Sequence, residues 1–168
     1  MKRCLVGSEM CIRDRNRASI GIELQNKGHK YGYEKFSKKQ IKSLLNLCLR
    51  LKKKFKIKSN NFLGHSDIAP LRKIDPGVKF PWKKLAKIRL AWYHNLDPTK
   101  IKEFRKVKIS SKFEEKIFIN NLYKIGYKKI RGFKFSKNVE YLTKAFQRRF
   151  RQDLIDGKID QECLRISK

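Results

Sequence analysis

Apolar residues at helical spacing predict one long helix in the first half of the chain. Ser37 and Gln40 form a capping box in front of it, in which each side chain can bond the backbone N–H of the other residue. The apolar residues that recur every three or four positions behind this box are Ile41, Leu44, Leu45, Cys48, Leu51 and Phe55. We therefore expect a helix that buries one stripe and leaves its lysines in water.

Two further stripes and one cap predict helices near the C-terminus. Ser111 and Glu114 form another capping box, and the side chains expected to point inward behind it are Phe113, Ile117, Leu122 and Ile125. Residues 138–151 repeat the helical spacing, with a stripe of Val139, Leu142, Ala145, Phe146 and Phe150. Asp160 can cap a last short helix. Together these stretches predict a small three-helix module.

A pattern of alternating polar and apolar residues predicts strands in the first half. Residues 19–25 alternate, with Glu23 on the polar face and Ile20, Ile22 and Leu24 on the other. Residues 61–64 read as a second short strand that leads into His65. The sequence thus predicts an α/β fold, with a partial mixed sheet flanked by helices and followed by the three-helix module.

Changes in pattern along the chain predict its domain organisation. Residues 1–15 show neither period and contain CLVGSEMCIRD, which resembles translated sequencing-adapter read-through, so we expect a non-native segment in place of a missing N-terminal part. Residues 16–97 then form the α/β domain. Residues 98–110 have no clear period and are expected to be an exposed basic linker, and residues 111–168 form the helical module.

The composition is strongly basic, with 44 Lys and Arg against 15 Asp and Glu and a formal charge of +29 over 168 residues. Such a charge favours polyanionic partners, either nucleic acid, an anionic membrane or an acidic wall polymer. The lysines are spread along the chain, which disfavours a specific nucleic-acid site. The four cysteines form no CxxC pair, which disfavours a disulfide framework or a cysteine zinc knuckle. The sequence contains no apolar run long enough to span a bilayer.

The segment with most chemical potential is residues 64–77, GHSDIAPLRKIDPG. Its prolines and Gly77 exclude a regular helix or strand, so we expect a shaped loop that carries His65, Lys73 and Asp75. A catalytic zinc takes about three protein ligands and keeps one position open, and histidine with aspartate is an accepted ligand pair. Taken alone, His65 and Asp75 are a weak signal for a metal site.

The surrounding sequence strengthens this signal. SIGIELQNKG at residues 19–28, the 64–77 loop and FPW at residues 80–82 together resemble the zinc-dependent N-acetylmuramoyl-L-alanine amidases of the type-2 amidase family, which share a fold with peptidoglycan recognition proteins. The resemblance runs from residue 16 to about residue 85. AFQRRF at residues 145–150, followed by Asp156 and Gly157, resembles the helical peptidoglycan-binding module found behind such amidases.

The resemblance implies roles for four residues. His65 and Asp75 would ligate zinc, Glu23 would be the general base towards the attacking water, and Lys73 would stabilise the oxyanion. Asp67 reads instead as a structural residue that bonds loop amides.

The chain also departs from the family pattern. The family's third ligand is a histidine upstream of the position of Glu23, and residues 1–15 contain no histidine. Neither His29 nor His94 matches that position. We therefore expect this chain to bind zinc poorly and to be weakly active or inactive.

Three functions follow, in decreasing order of support. The first is a zinc amidase that cleaves the bond between N-acetylmuramic acid and L-alanine and carries a C-terminal wall-binding module. The second is a non-catalytic peptidoglycan-binding protein, and the third is a basic nucleic-acid-binding protein. For the first, we expect a monomer that acts on peptidoglycan or muropeptides in the periplasm or cell envelope, with the cytoplasm as the alternative.

Overall fold

Helices provide the regular structure of residues 19–129 and 135–168, which are the residues described by the computed structural model. In these ranges the α-helices are α1 (Lys38–Phe55), α2 (His65–Ile68), α3 (Trp82–Lys87), α4 (Pro98–Glu103), α5 (Lys112–Lys124), α6 (Phe135–Phe150) and α7 (Gln161–Ile166). Short 3₁₀ turns occupy His29–Tyr31, Ser59–Asn61 and Phe104–Lys106. The chain divides into two units, Met1–Tyr33 and Glu34–Lys168, and α1 to α7 all lie in the second.

The predicted sheet is wrong, because the described residues contain no strand. Residues 19–27 form no regular structure, and the side chain of Ile20 is 51% exposed. The stretch predicted as a second strand follows the 3₁₀ turn Ser59–Asn61 without pairing. An isolated bridge between Lys108 and Asp160 is the β contact found in the described ranges. Alternation fixes which side chains share a face, but a strand also needs a neighbour to bond its backbone groups.

The long helix α1 confirms the prediction made from its capping box. The Gln40 N–H donates to Ser37 Oγ (3.1 Å), and the Ser37 N–H donates to Gln40 Oε1 (3.2 Å). Ile41, Leu44 and Cys48 are buried, whereas Phe55 in the last turn is exposed. The helix therefore buries the first part of the predicted stripe and leaves its C-terminal end in water.

The four helices α4, α5, α6 and α7 share one continuous hydrophobic core. Its buried members are Ile101, Phe118, Ile119, Leu122, Tyr127, Val139, Leu142, Ala145, Phe146, Phe150, Cys163, Leu164 and Ile166. The predicted stripe of α6 is thus confirmed. In α5, Leu122 is buried, and Ile117 and Ile125 pack partly buried against this core, as predicted. Phe113 is instead 70% exposed, and Phe118 and Ile119 are buried although they were not in the predicted set. Asp160 caps α7 as predicted and accepts a hydrogen bond from the Cys163 N–H (2.8 Å).

Residues 98–110, expected to be an exposed linker without regular structure, contain α4. Asp97 caps this helix by accepting hydrogen bonds from the N–H groups of Thr99 (2.8 Å) and Lys100 (2.9 Å). Pro98 occupies the first turn, where its missing N–H costs nothing. Ile101 is buried in the core, so this stretch packs against the helical module. The assignment of residues 98–110 as a boundary between domains stays a prediction.

None of the helices in the described part of the chain combines the length and the apolar character needed to cross a bilayer.

Candidate metal and amidase site

The loop of residues 64–77 is closed by its own backbone. It begins with the single turn α2, and the Ser66 N–H donates to the carbonyl of Asp75 (2.8 Å). Further along, the N–H groups of Arg72 and Lys73 both donate to the carbonyl of Ala69 (3.1 and 3.0 Å). These bonds fold the loop back on itself, so its two ends lie side by side.

The closure brings His65 and Asp75 together although ten residues separate them in sequence. His65 Nδ1 lies 3.0 Å from Asp75 Oδ2, and the two side chains are 42% and 53% exposed. Two ligands of one tetrahedral zinc, with bonds of about 2.1 Å, hold their donor atoms about 3.4 Å apart. The pair therefore fits two adjacent ligand positions and is open to solvent.

A third ligand is not found among the residues that the structure describes, which contain no cluster of three His, Cys, Asp or Glu side chains able to hold a metal. His29 lies in the first unit and stacks on Tyr33, with ring centroids 4.2 Å apart. His94 lies in the second unit and stacks on Tyr93 (4.6 Å). Burial, and then the charge of Lys83, lowers the pKa of His94. The described residues thus fit two of about three ligand positions.

The two residues assigned catalytic roles lie in different units. Lys73 is partly buried in the loop, two residues from Asp75, and its backbone is fixed by the bond to Ala69. Glu23 is exposed and lies in the first unit. Its role as general base and the role of Lys73 at the oxyanion stay predictions.

Asp67 has the structural role that the sequence predicts, and one further bond that the sequence does not reveal. Its Oδ2 accepts a hydrogen bond from the Gly64 N–H (2.8 Å), which fixes the start of the loop. The same oxygen accepts a hydrogen bond from Arg149 Nη1 (2.8 Å), a residue of α6. Arg149 was missed because nothing local marks it. The available signal is an arginine beside an apolar stripe, which needs a carboxylate partner when it is buried.

A second group of charges lies between the 3₁₀ turn Phe104–Lys106, the start of α7 and the segment that follows α6. Arg105 bonds Glu162 (Nε to Oε2, 2.6 Å) and Asp153 (Nη2 to Oδ1, 3.2 Å), while Arg151 bonds Asp156 (2.8 Å) and Asp160. A cavity of about 230 Å³ opens beside these residues. The two arginines are satisfied by carboxylates of the protein, so the group reads as a structural network.

Part of the chain matches a known protein family. Residues 5–78 match the model of the N-acetylmuramoyl-L-alanine amidase family (Amidase_2). The match begins inside the segment expected to be non-native and ends just after the loop that carries His65 and Asp75. Glu23 and Lys73 also fall within the matched range.

Two curated relatives are amidases. The chain is 31% identical over 161 residues to the N-acetylmuramoyl-L-alanine amidase AmiD of Escherichia coli (strain K12). This match covers 91% of this chain and 56% of AmiD. It is 38% identical over 79 residues to the 1,6-anhydro-N-acetylmuramyl-L-alanine amidase AmpD of Haemophilus influenzae, covering 46% of this chain and 39% of AmpD. The chain is therefore homologous to these amidases and spans about half the length of AmiD.

Two solved structures have a similar fold. One is E. coli AmiD in complex with anhydro-N-acetylmuramic acid-L-Ala-D-γ-Glu-L-Lys, with a TM-score of 0.66 and 26% identity over 81% of this chain and 52% of that chain. The other is AmpDH3 from Pseudomonas aeruginosa in complex with anhydromuramic pentapeptide, with a TM-score of 0.66, 27% identity, and coverage of 81% and 53%.

Proposed function

From the homology of this chain to the amidases AmiD and AmpD, we propose that it carries part of the site of a zinc-dependent enzyme. This enzyme cleaves the amide bond between N-acetylmuramic acid and L-alanine in peptidoglycan or muropeptides. The observation that carries the proposal is the His65–Asp75 pair, held at 3.0 Å by a loop inside the matched range. Such a pair is solvent-accessible, preformed and of the right chemistry for a metal ion.

The residues of the chain have distinct parts in the proposed reaction. His65 and Asp75 would hold the zinc, which when bound polarises the scissile carbonyl and lowers the pKa of water to about 7. Glu23 would accept the proton of the attacking water. Lys73 would place its ammonium group where negative charge develops on the carbonyl oxygen, because a fixed cation stabilises that charge most in the transition state.

The proposal includes a weak metal affinity for this chain. Structural zinc sites contribute about 10–16 kcal/mol over four ligands, so one missing ligand costs about 3 kcal/mol, or about a hundredfold in affinity. The described residues contribute His65 and Asp75 and no third member of a metal cluster. We therefore expect low activity that rises when zinc is supplied in excess.

Two assays on the same preparation test the proposal. After dialysis the chain should retain much less than one zinc per molecule, and it should release L-alanyl peptides from muropeptides only when zinc is added. His65→Ala should abolish this release, whereas His29→Ala, which removes a histidine outside the loop, should not. Tight stoichiometric zinc that survives dialysis would show that another ligand completes the site.

A non-catalytic peptidoglycan-binding protein is the second candidate, supported by the two-residue ligand set found among the described residues. Such a protein would be retained on insoluble peptidoglycan in a pull-down assay and would release no peptide at any zinc concentration.

For either function we propose peptidoglycan or muropeptides as the partner and the periplasm or cell envelope as the location. The 161-residue match to AmiD supports this partner because it extends well beyond the amidase domain into the helical module. Cell fractionation tests the location.

A further inference from the structure

Arg149 connects the helical module to the site loop through a buried ion pair. Its Nη1 donates to Asp67 Oδ2 at 2.8 Å across 82 residues of sequence, and the two side chains are only 3% and 1% exposed. We propose that Arg149 is a positioning residue that acts through Asp67 to set the backbone from which His65 projects. The importance of this position for catalysis rests on the proposed function, but the positioning itself does not.

Arg149 is held on three sides, so the place of its guanidinium group is fixed. Nη2 donates to the carbonyl of Trp92 (3.1 Å), and the guanidinium carbon lies 4.1 Å from the centroid of the Trp82 ring. A planar guanidinium can make these bonds and this stacking contact at once, whereas a lysine ammonium cannot. Arg149 therefore presents Nη1 to Asp67 in one defined direction.

Asp67 in turn bonds the backbone of Gly64, the residue before His65. Its Oδ2 accepts the N–H of Gly64 (2.8 Å) as well as Arg149, and its backbone carbonyl accepts the N–H of Lys128 (3.1 Å). Arg149 is the charged one of the two donors to this side chain, and charge-assisted hydrogen bonds are about twice as strong as neutral ones. The orientation of Gly64, and hence of His65, thus depends on a residue of α6.

The packing around Gly64 extends the same effect to Asp75. A Cβ atom at Gly64 would lie 2.7 Å from Pro76 Cδ and 3.2 Å from Trp82 Cζ2. Gly64 therefore lies between the proline that follows Asp75 and the tryptophan that stacks on Arg149. Both members of the His65–Asp75 pair are attached to this packed unit.

Amide hydrogen exchange of the whole chain measures positioning without zinc or substrate. In Arg149→Met we expect the protection of the Gly64 amide, relative to the core amide of Leu142, to fall about tenfold or more, because loss of one partner of a buried pair leaves a charge unpaired. The matched control is Arg151→Met, which breaks a buried ion network in the same module without touching the loop. It should lower the protection of both amides and leave their ratio unchanged.

Two further variants keep the test decisive. Arg149→Lys retains the charge, and it should lower the ratio by a smaller factor of about threefold, since one bond and the stacking contact are lost. In an Asp67→Asn background, the Arg149→Lys substitution should have little further effect on the ratio. If the ratio of Gly64 to Leu142 protection were equal in wild type, Arg149→Lys and Arg151→Met, the proposal would be overturned. The same holds if Arg149→Lys lowered this ratio as much in the Asp67→Asn background as in wild type. A chain that shows the expected ratios but releases no peptide from muropeptides even with excess zinc would reject the proposed function and leave the positioning role intact.

Discussion

At the scale of single residues, the site loop depends on small distances that its sequence does not display. The spacing of His65 and Asp75 in sequence allows many separations, and the bond from the Ser66 N–H to the Asp75 carbonyl selects one near 3 Å. The resemblance of the surrounding motifs to the amidase family, more than these two residues alone, predicted the candidate chemistry. The buried bond between Asp67 and Arg149 was not predictable, because it joins segments 82 residues apart through packing that no local pattern encodes.

Gly64 gives a direct test of this packing. Gly64→Ala should destabilise the protein by about 1–3 kcal/mol, because the new methyl group overlaps Pro76 and Trp82 in a closely packed site. Urea unfolding measures the loss. Gly21→Ala is the matched control, since a Cβ there meets nothing within 4 Å, and it should change stability by less than about 0.5 kcal/mol. Equal stability of the two variants would contradict the packing described for the loop.

At the scale of elements, caps and apolar stripes predicted helices that form. The alternating pattern predicted strands that do not form among the described residues. The Ser37–Gln40 box and the Asp160 cap are completed within a few residues, so the sequence alone specifies them. Residues 19–25 carry a strand pattern, but a strand forms only beside a partner with free backbone groups. In α5, the exposed Phe113 shows that a cap fixes where a helix begins but not which face the core covers.

The ion pairs between α4 and the end of α6 predict a pH dependence of stability. Burial alone would raise the pKa of Asp153, but hydrogen bonds from Arg105 and Lys102 outweigh it and lower the pKa to about 2. A carboxyl whose pKa is lower in the folded state stabilises above its unfolded pKa of about 4, and this contribution is lost as the pH falls towards 2. Because Asp153 is about half exposed, solvent screening leaves about 1 kcal/mol.

Acid titration of the free energy of unfolding checks this contribution. The wild-type protein should lose stability between pH 4 and pH 2 more steeply than Asp153→Asn, and the two curves should converge near pH 2. The conservative variant Glu103→Gln, which removes an exposed carboxylate at the end of α4, serves as a control for general charge effects. Parallel curves for wild type and Asp153→Asn over this range would rule out the assigned pKa.

At the scale of the whole molecule, the formal charge of +29 predicts that the proposed binding to anionic peptidoglycan depends on salt. Retention on insoluble peptidoglycan should fall clearly between about 50 mM and 500 mM NaCl, because the screening length shortens over this range. Since the lysines are spread along the chain, Lys39→Gln with Lys42→Gln on α1 should weaken retention only slightly. Retention that does not change with salt, or that is largely lost in this double variant, would contradict binding through charges spread along the chain.

A zinc titration of the whole chain followed by NMR tests most directly whether His65 and Asp75 are metal ligands. We predict weak, saturable binding with chemical-shift changes centred on His65 and Asp75, lost in His65→Ala and retained in His29→Ala. If added zinc left the chemical shifts of His65 unchanged, or if His65→Ala bound zinc with the same strength, the assignment of this pair as metal ligands would be contradicted.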